Sequence, residues 1–403
     1  MTKRTIGFLG VLLALTCRVA LSGPLSAALN EPPSSGEPTA ATIAMPQFEV
    51  DATWPRLPNN WVMGDPSSIA VDRHDNVWIL HRPRTVPAEK KEHAAPPVLE
   101  FDKHGKFLQA WGGPPSSGDQ WEWPDTEHGI YVDYKDNVWI GGNNPNVQIR
   151  VSSRSDDMLL KFTSKGKLIK QIGLRDQSKG NKDTTNLHQP ADVQVIQKTN
   201  EAVVADGYGN RRIIVLDADT GAFKRLWGAF GNEPIDVAPP PARGTEPAPA
   251  ASPRDVEGPG PQQWGIVHAV RIANDGLVYV ADRGNSRVQV FTLDGKYQTQ
   301  IFVNRADKSA ATACGLALSS DPQQKYLYVS DFGNGHVWIL DRKSLAVLGH
   351  FGEQGPEPGN FRNAHHMTTD SKGNLYTAEV NPGSRVQRFV FKGMKPPSAT
   401  ASR

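Results

Sequence analysis

The stretch "VHAVRIANDGLVYVADRGNSRVQVF", residues 267–291, sets an alternating apolar strand beside a polar turn, a β-rich strand and a third strand. Alternation at period two, punctuated by Asn, Asp and Gly, predicts antiparallel strands joined by tight turns. The plan recurs along the chain. "SSIAVDRHDNVWILHR" begins at Ser67, "EHGIYVDYKDNVWIGG" at Glu127 and "PADVQVIQKTNEAVVADGYGNRRIIVLD" at Pro190. "CGLALSSDPQQKYLYVSDFGNGHVWIL" begins at Cys314, and "HHMTTDSKGNLYTAEVNPGSRVQRF" at His365. Stretches such as "FLQAWGG" and "FKRLWGAFG" supply a fourth strand in several units. Six units of four strands predict an all-β chain folded as a six-bladed β-propeller. The sixth unit has no fourth strand after it, and "MPQFEVDATWPRL" from Met45 resembles one. That segment is expected to complete the last blade and close the ring without free edges.

The propeller is thus expected over 45–392, with residues 232–263 as a Pro-rich surface insertion between blades three and four. Residues 393–403 are expected to be a disordered tail. At the other end, Lys3 and Arg4 precede an apolar run from Ile6 to Leu15, followed by small residues at Ser26, Ala27 and Ala28. This is the pattern of a secretory signal over 1–28, and 29–44 then reads as a Pro/Ser/Ala-rich flexible spacer. The apolar run is short for a bilayer, so the expectation is an exported protein without stable membrane embedding. Export leaves Cys314 as the single cysteine and rules out an internal disulfide. A formal charge of +2, with charged residues at 21% and no basic block, argues against nucleic acid as a partner. A monomer is expected.

Two columns of the aligned repeats carry chemistry. The first lies two residues before the leading apolar residue of each first strand. It holds Ser67, His128, Ala191, His268, Cys314 and His365. Histidine occupies the even units and a small residue the odd ones. In a closed six-bladed ring alternate blades stand a third of a turn apart, so three imidazoles would converge if this column lines the axis. Three histidines with an open fourth position suit a catalytic zinc site, with copper, iron or nickel as other imidazole-binding metals. The second column, at the end of the second strand, holds Arg82 in unit one and Arg283 in unit four, with Tyr208 one residue further along in unit three. Two arginines and a phenol beside a metal would suit a small-molecule or peptide substrate with an anionic end.

"VYVADRGNSRVQVF" and "VVADGYGNRRIIVL" resemble NHL repeats over nearly the whole chain. Both columns together resemble peptidyl-α-hydroxyglycine α-amidating lyase. The zinc histidines of that family are matched by His128 in "EHGI", His268 in "VHAV" and His365 in "AHHM". Its catalytic tyrosine is matched by Tyr208 in "DGYGN", and its arginines by Arg82 in "LHRP" and Arg283 in "ADRG". The resemblance implies a zinc-dependent lyase that cleaves a C–N bond to an amide and glyoxylate. Tyr208 would be a general base of lowered pKa, and Arg82 and Arg283 would hold a carboxylate. The family's prolines before the histidines are here Glu127, Val267 and Ala364. Its structural calcium uses an aspartate after the third histidine and two carbonyls, which correspond to His366, Ile69 and Ile130. Histidine is a poor calcium ligand, so calcium is not expected, and His366 is not expected to join the metal ligands. Two other readings remain open: a non-catalytic propeller that binds a peptide, glycan or protein, and a lactonase-type enzyme, whose carboxylate-rich site this column lacks.

Overall fold

A computed structural model describes residues 43–145, 151–236, 257–307 and 311–396. The expected signal segment 1–28, most of the spacer and the middle of the Pro-rich insertion lie outside the described residues. No helix among the described residues is long and apolar enough to cross a membrane.

The strands form six four-stranded antiparallel sheets; five run outward in chain order from an innermost strand, and in the last blade the outermost strand comes from the start of the chain. The innermost strands are Asp65–Val71, Glu127–Val132, Pro190–Ile196, Val267–Ile272, Leu316–Leu318 and Ala364–Thr369. Each touches the next around the axis, and the sixth touches the first. Their side chains are largely buried on both faces because neighbouring blades cover them. The expected closure is present: Met45–Asp51 pairs antiparallel with Arg385–Lys395 as the outer strand of the last blade. Because Met45 pairs with Lys395, that blade continues past the expected boundary at 392, and residues 393–395 are strand rather than tail.

Two polar devices recur. In blades one, two and six an aspartate caps the first turn and reaches a ring on the second strand. Asp72 accepts from the amides of His74 (2.8 Å) and Asn76 (2.9 Å) and from Trp78 Nε1 (3.0 Å). Asp133 does the same with Trp139, and Asp370 with Tyr376. In blades three, four and six a buried acid at the end of the second strand clips an arginine that opens the third. The pairs are Asp206 with Arg212 (2.8 Å), Asp282 with Arg287 (2.8 Å) and Glu379 with Arg385 (3.0 Å). Each arginine then bonds carbonyls of the loop entering its blade, such as Asn181, Pro261 and Asn360. Charge and hydrogen-bonding capacity are satisfied together, as a buried ion pair requires. The acid of "ADRG" is therefore structural, which leaves the following arginine free for the site.

The closing strand is held by aromatic contact as well as pairing. Phe48 meets Tyr328, Phe351 and Phe391 at centroid distances of 5.8, 5.1 and 6.3 Å. Phe48→Ala should lower unfolding free energy by about 2–4 kcal/mol. Leu108→Ala, at a position 44% exposed on an outer strand, should cost less than about 0.5 kcal/mol. Urea unfolding midpoints of the two variants check the contrast.

Candidate metal centre and its pocket

The innermost strands share an irregularity at one position. Pairing with the second strand skips Ser67, His128 with Gly129, Ala191, His268 and His365. These bulges fall on the first column of the sequence alignment, and in blade five Cys314 stands just before its strand. A bulged residue leaves the ladder and its side chain is re-aimed. Here the histidines are aimed at one another: ring centroids lie 5.0 Å apart for His128 and His268, 4.7 Å for His128 and His365, and 4.6 Å for His268 and His365.

Their tautomers follow from their neighbours. His128 Nδ1 lies 2.8 Å from the Ala191 carbonyl, His268 Nδ1 3.1 Å from that of Cys314, and His365 Nδ1 2.7 Å from that of Ser67. A carbonyl can only accept, so each Nδ1 carries the proton and each Nε2 a lone pair. The small residues of the odd blades thus do more than leave space, since their carbonyls orient the histidines of the even blades. His268 Nε2 and His365 Nε2 face each other at 3.0 Å. Two lone pairs that close, in a buried site, repel unless a proton or a cation lies between them.

Burial, reinforced by neighbouring imidazoles and arginines, holds all three histidines well below the ordinary histidine range. They are neutral at pH 7, the state in which imidazole binds metal. Cys314 contributes no thiolate, because burial pushes its thiol up to about 12.

His366, which the sequence does not lead one to expect among the ligands, has its ring buried beside the other three, and ligand atoms of His128, His268, His365 and His366 all lie within 4.8 Å of one another. Burial and then the charge of Arg271 push its pKa down to about 3. The four-histidine cluster could hold a metal ion.

Above the cluster opens a cavity of about 460 Å³ that His365 also lines. The second column read around the ring supplies Arg82, Asn143, Tyr208, Arg283, Phe332 and Val380 to its wall, and Asp65, Thr85, Asn363 and Asn381 complete it. Tyr208 hydroxyl lies 3.0 Å from His128 Nε2 and accepts from Arg283 Nη1 at 3.3 Å. Arg82 is fixed by its Nε bond to the Glu127 carbonyl at 2.9 Å, and burial lowers it to about 10, so it remains a cation at neutral pH. The guanidinium of Arg283 lies 5.0 Å from the Phe332 ring centroid, and its Nε finds no partner among the described residues. The expected depression of Tyr208 is not produced by the protein groups alone. Burial raises its pKa, and Arg283 and Arg82 only partly offset that. A cation on the adjacent Nε2 would supply the missing pull. Asn143 escaped the sequence reading, although it occupies the column of Arg82 and Arg283. Its amide lies close enough to pull the Tyr208 phenol down, but neither amide atom completes a hydrogen bond among the described residues.

Gly129 tests the orienting bonds. A Cβ there would lie 2.4 Å from the Ala191 carbonyl oxygen, the atom that orients His128. Gly129→Ala should therefore weaken metal affinity by about 10-fold or more with every ligand intact. Chelator competition on the purified variant checks this.

Comparison with known proteins agrees with the repeat reading. The NHL repeat family matches residues 267–291. Peptidyl-alpha-hydroxyglycine alpha-amidating lyase 1 of Drosophila melanogaster is 26% identical over 379 residues, covering 87% of this chain. The chain spans 61% of that protein's length. NHL repeat-containing protein 3 of Mus musculus is 26% identical over 355 residues, covering 86% of this chain and 84% of its own. Among solved structures, a streptogramin B lyase covers 86% of this chain and 98% of its own, with a TM-score of 0.47 and 12% identity. The chain is a six-bladed β-propeller with an NHL repeat, similar in sequence to peptidyl-α-hydroxyglycine α-amidating lyase.

Proposed function

We propose that the protein is an exported, monomeric, zinc-dependent carbon–nitrogen lyase acting on an α-hydroxyglycine-type substrate with an anionic end. The observation that carries this reading is the convergence of three carbonyl-oriented histidines directly beneath a pocket walled by Arg82, Tyr208 and Arg283. The sequence similarity to an amidating lyase supports it, and the signal-like N-terminus supports export. Calcium is not part of the proposal. His366 offers nitrogen where calcium prefers oxygen, and Ile69 and Ile130 line a cavity that also holds the guanidinium of Arg271.

The donor set fits zinc, being neutral, nitrogenous and buried. Zinc bound by His128, His268 and His365 supplies Lewis-acid polarisation of a substrate hydroxyl. Arg82 and Arg283 bind the substrate carboxylate and orient it. Tyr208, as phenolate, takes the proton from the hydroxyl on the carbon next to the amide nitrogen. The C–O bond becomes a carbonyl as the C–N bond breaks, and the proton passes to the departing nitrogen. The products are a primary amide and glyoxylate, with no oxidant or reductant consumed. Phe332 and Val380, on the apolar side of the cavity, leave room for the non-ionic portion of the substrate.

An N-acyl-α-hydroxyglycine incubated with the purified protein should release glyoxylate. Chelation should abolish release and added zinc restore it. Tyr208→Phe should reduce kcat by about 10²–10⁴-fold with zinc still bound, and Arg283→Ala should act chiefly on KM. Protein that carries no zinc and releases no chelator-sensitive glyoxylate would show the reading to be wrong.

A further inference from the structure

We propose that His366 is a fourth imidazole ligand, so that the centre is a four-histidine site for a borderline divalent transition metal. The inference rests on the three-histidine reading above and extends it. His366 is 1% exposed, and neither ring nitrogen has a hydrogen-bond partner among the described residues. The other three differ, since each gives Nδ1–H to a carbonyl. An imidazole buried with both nitrogens unpartnered is costly unless one of them binds something.

The ring is placed to do so. It stacks on His268 at a centroid distance of 4.9 Å and an interplanar angle of 30°, and stands 5.3 Å from His128. Unlike its neighbour, His366 remains in the ladder, paired with Ala378 immediately after the bulge at His365. Consecutive residues of a regular strand point to opposite faces, and the bulge lets both face the axis. Metal–nitrogen bonds of about 2.0–2.1 Å require ligand nitrogens separated by about 3.3–4.2 Å. Here all four ligand atoms lie within 4.8 Å, and the closest named pair is 3.0 Å apart. Small ring rotations bring the set onto one ion.

The cluster contains no carboxylate or thiolate. Four neutral ligands leave the full double charge on the ion. An anionic fifth ligand from the cavity is then favoured over a neutral one, which matches the arginine-lined pocket above it.

Two measurements test this. Metal-edge X-ray absorption on the intact, zinc-loaded protein counts imidazole scatterers, with four expected. His366→Asn should bind zinc at unchanged stoichiometry with affinity at least about 10-fold weaker in chelator competition. Its cobalt-substituted form should show shifted visible bands, while His128→Ala should lose the metal. Three imidazoles at the edge, or unchanged affinity and cobalt bands in His366→Asn, overturn the fourth ligand and leave the three-histidine centre standing. Wild-type protein that takes up no metal overturns both. Should His366→Asn fail to fold, the absorption edge of the wild type decides alone.

Discussion

Three Nδ1–H···O=C hydrogen bonds, each from a histidine of one blade to the carbonyl at the same column of the next, set the tautomers on which the site depends. They exist only because the innermost strands are bulged there, and the ring closure fixes the bulges at one height. A carbonyl engaged in a regular ladder would have no reason to face the axis. The ring alternates a residue that presents a side chain with one that presents its backbone. Blades six and one complete this circuit, since His365 leans on Ser67 across the junction that Met45–Asp51 closes from outside. The outer closing strand and the histidine cluster are thus linked through one blade.

The electrostatics follow from that crowding. Four imidazoles, two arginines and a phenol share a buried space without a carboxylate among the metal-ligating candidates. Burial and mutual repulsion keep the histidines neutral, and the same burial raises Tyr208 although two guanidiniums stand beside it. Buried acids such as Asp206 and Asp282 are engaged in clips with Arg212 and Arg287, whereas Asp65 lines the cavity and accepts from the Ser384 hydroxyl at 2.6 Å. A cation at His128 Nε2 would favour the deprotonated phenol.

The repeat made the fold legible. Alternation and turn residues located every blade, and the missing fourth strand of the last unit pointed to Met45–Asp51. The histidine column was legible because equivalent positions in a closed ring share a radius. His366 was not, for a physical reason: period-two alternation places the neighbour of an axial residue on the opposite face, and only a bulge overrides it. The role of the small residues was equally hidden, since a carbonyl leaves no trace in residue identity. Asn143 could have been found, because it falls in the same column as Arg82 and Arg283. A search restricted to charged and aromatic groups passes over an amide.

The second column shows how a symmetric frame yields an asymmetric pocket. Position by position it reads Arg82, Asn143, Gly207, Arg283, Phe332 and Val380, with Tyr208 reaching in from the residue after the glycine, whose Cα is packed against the Val267 backbone. Blades one, two and four are polar at this position, blade three is glycine, and blades five and six are apolar. The cavity therefore mixes the cationic groups of Arg82 and Arg283 with the apolar Phe332 and Val380, and Asp65, Asn363 and Asn381 line it as well. Arg283 stands at the boundary, its guanidinium against both Tyr208 and Phe332. Its planar face is covered and its edge is left for hydrogen bonding, the arrangement that gives an arginine directional grip on a carboxylate rather than a diffuse positive field. The repeat supplies six equivalent positions, and the unlike side chains at those positions make the cavity asymmetric.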